Sequence, residues 1–160
     1  MDTQAWQNAK KSLKAQDYKA AERDFKKVLD AIDEHVEQYN NVLSHYGMVQ
    51  VLNAAEFGAD QNGLLLCREA ASNELVDGEV FLNLACAEWY CKNRKRAVEA
   101  ISHGMKIDRD NQRLIHACSG LDCRKKCCFS FLSRSHKLNR LFGRLMRRPA
   151  AEITVHSLLY

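Results

Sequence analysis

The chain has 160 residues, of which 46% are hydrophobic and 28% charged, and a formal net charge of +4. That size and balance predict one globular domain with room for a core and exclude an intrinsically disordered chain. One proline and seven glycines are too little turn punctuation for an all-β fold of many short strands.

The polar start, Met1 to Gln4, runs into Trp6 and a lysine-rich segment, so a secretory signal is not expected. The longest apolar run, Leu64-Leu65-Leu66-Cys67, is far below the ~20 residues that a membrane-crossing helix needs. Seven cysteines, an odd number, then suggest reduced thiols and a cytoplasmic protein.

In chain order, three units of similar pattern follow one another. The small residues Ala9, Gly47 and Ala85 are spaced 38 apart, each in an apolar context. In the first unit, Trp6 and Ala9 precede Ala21-x3-Phe25, and Tyr18, Phe25, Val28, Leu29, Ile32 and Val36 form a stripe at helical spacing. In the second, Leu43, Tyr46 and Gly47 precede Gly63-x3-Cys67, with four extra residues in the turn-like stretch Asn53 to Asn62. In the third, Phe81, Leu84 and Ala85 precede Ala97-x3-Ile101 and Gly104. Each unit predicts two amphipathic helices whose small residues meet, so that the backbones approach closely. Residues 112–121 continue the periodicity as a capping helix.

These residues resemble the tetratricopeptide repeat family, whose pattern is W-x2-L-G-x2-Y, then A-x3-F, then P. Glu88 stands where the family usually has Tyr, and Arg109 where it has Pro. The resemblance implies an all-α fold: a right-handed solenoid of about three helix pairs (units 5–39, 40–77 and 78–111) in a domain of residues 1–122. It also implies a concave groove for a peptide, lined by Gln7, Lys10, Lys11 and Lys14, then Ser44, Met48 and Val51, then Leu82, Cys86 and Trp89. Trp89 and Tyr90 are either anchors for such a peptide or ordinary core residues.

The nearest approach to a metal site is His116, Cys118, Cys123 and Cys127, but this set lacks paired C-x2-4-C knuckles, and no metal or other cofactor is expected. Lys and Arg beside Cys123, Cys127 and Cys128 leave redox sensing open, while Cys67, Cys86, Cys91 and Cys118 suit apolar packing. There is no phosphate-binding glycine loop and no nucleophile elbow, so an enzyme is not expected.

Charge divides the chain. Residues 1–122 hold 15 Lys and Arg against 19 Asp and Glu, while residues 123–160 hold nine against one. Within 123–148, Leu138, Leu141, Phe142, Leu145 and Met146 predict an amphipathic helix, with Arg134, Lys137, Arg140, Arg144, Arg147 and Arg148 as its basic side. Residues 149–160 show no pattern and are expected to be flexible. The basic segment caps the repeats, meets an anionic membrane surface or nucleic acid, or is drawn to the acidic repeats themselves. The expected function is a non-enzymatic adaptor that binds a protein or peptide. The size and repeat number also resemble secretion-type chaperones.

Overall fold

The computed structural model describes residues 3–54 and 61–121, and all regular structure among them is helical. The helices are α1 (Thr3–Lys14), α2 (Tyr18–Ala31), α3 (Tyr39–Ala54), α4 (Gln61–Ser72), α5 (Gly78–Tyr90), α6 (Arg94–Ile107) and α7 (Gln112–Leu121). None is long and apolar enough to cross a membrane. The expected basic helix at 123–148 and the segment 149–160 lie outside the described residues.

Small residues set the helix pairing. Ala9 and Ala21, Gly47 and Gly63, and Ala85 and Ala97 fall in the first and second helices of the three successive pairs. The four alanines have no solvent exposure. The glycine pair is the tightest: a Cβ on Gly47 would lie 2.5 Å from the Gly63 carbonyl oxygen, and one on Gly63 would lie equally close to that of Gly47. Only hydrogen fits between these two backbones.

The turns of the first and third pairs repeat each other. Gln16 and Lys92 both adopt φ 62°, the left-handed conformation that reverses the chain after a helix. Asp17 and Asn93 follow as the N-cap residues of α2 and α6. Asp17 Oδ1 accepts from the Ala20 N–H at 3.0 Å. Asn93 instead turns its amide to Glu88 Oε2 at 2.8 Å. Glu88 Oε1 in turn accepts from Arg68 Nε at 2.8 Å, which joins α4 to α5 and keeps the buried carboxylate paired.

Each helix packs on its neighbours in sequence, α3 also touches α5, and α5 also touches α7. The largest core cluster runs through all seven helices, from Ala9 and Phe25 through Met48, Leu64 and Leu82 to Ile101 and Leu114. Trp6 on α1 meets Phe25 on α2 edge to face at 5.5 Å, and His45 on α3 at 5.1 Å. Aromatic pairs of this kind contribute about 1 kcal/mol each beyond the area they bury.

One predicted stripe ends early. Helix α2 stops at Ala31, and Ile32 turns to extended backbone while remaining largely buried. Asp33 then starts a turn, with its Oδ1 accepting from the His35 N–H at 2.9 Å. Val36 is left 40% exposed rather than on the core face of α2. The Asx turn competes with helical hydrogen bonding and wins.

Candidate functional site: an acidic cleft beside α3 and α5

The starts of α3 and α5 lie beside α1, and between them opens a cleft of about 480 Å³. Helix α1 contributes Trp6 and Lys10. The turn before α3 contributes Glu37 and Gln38, and its first residues contribute Asn41 and Val42. Glu74, Val76 and Asp77 come from the turn before α5, Glu79 from α5 itself, and Asp108 from the turn before α7. Five carboxylates therefore face one ammonium.

The turn before α5 is shaped by its own acids. Glu74 Oε1 accepts from three successive backbone N–H groups, those of Leu75, Val76 and Asp77, at 3.0, 2.9 and 3.0 Å. Asp77 caps α5 by accepting from the Glu79 N–H at 2.8 Å, and its other oxygen accepts from Asn41 Nδ2. Asn40 Nδ2 donates to the Asn73 carbonyl at 3.2 Å. These bonds pin the start of α3 to the α4–α5 turn. They also leave Leu75 81% exposed and Val76 66% exposed.

Glu79 is the hub of the cleft floor. Its Oε1 lies 3.5 Å from Lys10 Nζ and 3.5 Å from His45 Nε2, and it accepts from Arg113. Burial acts to raise the Glu79 pKa. The hydrogen bond and charge of His45, with the charges of Lys10 and Arg113, outweigh that and hold the carboxyl well below the usual carboxylate range. Lys10 also sits over the Trp6 ring, 4.7 Å from its centroid.

Beneath Glu79 lies a buried polar chain. His45 Nδ1 is 2.9 Å from the Asn41 carbonyl oxygen, so both ring nitrogens face acceptors. Ser44 Oγ donates to the same carbonyl at 2.8 Å. Asn83 Nδ2 lies 3.0 Å from both Ser44 Oγ and His45 Nδ1. His45 and Asn83 are one repeat spacing apart, as are Asn41 and Glu79. Polar residues recurring 38 apart on otherwise apolar helices were the available signal for this network. The repeat pattern above rests on small and apolar residues and leaves these polar positions out.

The residues expected to line a groove divide sharply. Ser44, Met48, Val51, Leu82 and Cys86 are at most 1% exposed, which corrects the expectation of an open face there. They sit on α3 and α5, which are buried nearly all round because each packs against several other helices. Trp89 is half-buried and packs on the core, with the Arg94 guanidinium 5.5 Å from its ring centroid. Gln7, Lys11 and Lys14 are exposed on α1, and only Lys10 of the set enters the cleft.

Cys67 and Cys86 are buried free thiols. Burial pushes Cys86 up to about 12, and burial, helped by the nearby Cys86, Cys91 and Glu88, pushes Cys67 well up. Neither has thiolate character at neutral pH. His116 is exposed and Cys118 half-buried. Cys123, Cys127 and the basic series Arg134, Lys137, Arg140, Arg144, Arg147 and Arg148 lie outside the described residues. Among the described residues, no three His, Cys, Asp or Glu side chains are grouped to hold a metal ion.

Comparison with protein-family models, with curated proteins and with solved structures finds no match to this chain.

Proposed function

We propose that the chain is a non-enzymatic scaffold of the tetratricopeptide-like kind. Its helix pairs stack as a right-handed solenoid and recognise a basic, partly apolar peptide segment at the cleft beside α3 and α5. The matched left-handed turns at Gln16 and Lys92 and the small-residue positions 38 apart support the repeat reading. The observation that carries the binding reading is the cleft itself, five carboxylates and one lysine with exposed Val76 at its wall. A cationic helix or extended segment matches both its charge and its apolar edge.

The test is binding of a fluorescent 15-residue amphipathic peptide rich in Lys and Arg, against a counterpart with Glu at the basic positions. It is run on the full-length chain and on the full-length chain carrying Arg134→Gln, Arg140→Gln and Arg144→Gln. Saturable binding of the basic peptide alone is expected, weakening with added salt and falling at least about tenfold in Glu37→Lys/Val76→Ser. Absence of such binding in both chains overturns the reading.

A further inference from the structure

The two most exposed large apolar side chains of the described residues, Leu75 and Val76, stand at the acidic cleft. Val76 lines it, Leu75 adjoins Val76, and Val36 adjoins the lining residue Glu37. Glu74 holds the backbone N–H groups of both Leu75 and Val76, which fixes the turn that presents them. Exposed apolar residues beside uncompensated charge mark an interaction surface. Of the five carboxylates, only Glu79 has cationic partners among the described residues. Among those same described residues, Glu74, Asp77 and Asp108 bond only to neutral groups, and the Glu37 carboxylate has no hydrogen bond or ion pair.

The chain itself supplies a segment with the complementary pattern. Residues 135–148 contain one acid-free amphipathic stretch, in which Arg140, Arg144 and Arg148 recur at i, i+4 and i+8, beside Leu141 and Leu145 at i and i+4. A helix of that sequence places a basic row next to an apolar row, as the cleft places carboxylates next to valines. The connection is long enough. Helix α7 starts four residues after Asp108 at the cleft and spans about 15 Å. The 13 residues from Leu121 to Arg134 reach roughly 43 Å when extended, more than the way back along α7.

We infer that the acidic, valine-edged cleft beside α3 and α5 is the docking site for the chain's own arginine-rich segment 134–148, held in the same molecule. This rests on the cleft being the binding surface and names its resident occupant. An outside basic peptide then binds by displacing that segment, so the cleft is self-competed. The 13-residue tether gives the segment an effective concentration on the order of millimolar.

Two measurements on full-length protein test it. In the first, the probe is a fluorescent synthetic copy of residues 134–148, titrated into the wild type and into a chain with Arg134, Lys137, Arg140, Arg144, Arg147 and Arg148 replaced by Gln. The neutralised chain is expected to bind the probe about tenfold or more tightly than the wild type, and the gain is expected to vanish on adding Glu37→Lys/Val76→Ser. Equal, cleft-dependent affinity for both chains overturns the resident segment but keeps the cleft as a binding surface. No cleft-dependent binding to either chain overturns both. The second measurement needs no substitution. Zero-length carbodiimide coupling of dilute wild-type monomer, mapped by mass spectrometry, is expected to join Lys137 to Glu37 or Asp108. Coupling found only in dimers, or dimers that form with rising concentration and dissolve in salt, shows a second copy as occupant and overturns docking within one molecule. Coupling of Lys137 elsewhere overturns it as well.

Discussion

Glu79 shows how one side chain couples a site to stability. Its carboxylate joins α5 to α1 through Lys10, to α3 through His45 and to α7 through Arg113. Glu79→Gln removes the charge and leaves a largely buried His45 without its acidic partner. Losing one member of such a group typically costs about 3–5 kcal/mol, and the 18% exposure of the Glu79 side chain places this case toward the lower end. Thermal unfolding of the variant measures the cost. The pH dependence has a definite sign. The folded pKa lies below the ordinary value of 4.5, so the unfolded chain binds the extra proton in the interval between them. The contribution is fully present above that ordinary value and is lost as pH falls below it, toward the folded value. Acid titration of stability is expected to flatten in Glu79→Gln relative to the wild type over that window, and parallel curves would remove Glu79 from this role. Gly47 is the steric counterpart. An alanine there would ordinarily gain about 1 kcal/mol of helix propensity. Its Cβ instead meets backbone oxygen at 2.5 Å and Leu66 Cβ at 2.9 Å, so Gly47→Ala is expected to destabilise by about 2–3 kcal/mol in denaturant unfolding.

At the scale of the element, the left-handed turn residues are a separable cost. Gln16 and Lys92 hold φ 62° with a side chain, where glycine has no Cβ to crowd the following carbonyl. Gln16→Gly and Lys92→Gly are each expected to stabilise by about 0.5–1 kcal/mol, the relief partly offset by the freer unfolded chain. The two sites lie in different helix pairs, so the double variant is expected to be additive, which the same unfolding experiment checks. Helix content and helix pairing were legible because they follow from local rules: apolar spacing, and small residues where backbones touch. The faces of α3 and α5 were not. A family pattern assigns Met48 and Leu82 to a solvent side, but it cannot show how many neighbours each helix has. Apolar residues on every side of α3, with Val42, Leu43, Met48, Val49, Val51 and Leu52 all buried, were the sequence's own sign of burial all round. The cleft was illegible for a different reason. Its acids come from α5 and three separate turns, and only the packing of those elements brings them together.

At the scale of the whole molecule, the pattern of packing predicts an uneven distribution of stability. Helix α5 touches α3, α4, α6 and α7, and α3 touches α2, α4 and α5, whereas the extensive packing of α1 is with α2 alone. Opening α1 exposes Trp6, Ala9 and Leu13 and breaks the Lys10 pair with Glu79, but leaves the α3–α5 interface intact. Opening α5 breaks contact with four helices at once. Local opening free energies follow the buried area and bonds that each opening disrupts. Amide hydrogen exchange on the full-length chain is therefore expected to be slowest in α3 and α5, at the rate set by global unfolding. It is expected to be faster in α1. Trp6→Ala should widen that gap, because it removes the ring that joins α1 to Phe25 and His45 while α3 and α5 keep their other neighbours. Equal protection across α1, α3 and α5, unchanged in their ratio by Trp6→Ala, would instead make the described helices one cooperative unit. The Glu79 hub would then carry coupling that the packing of α1 alone does not supply.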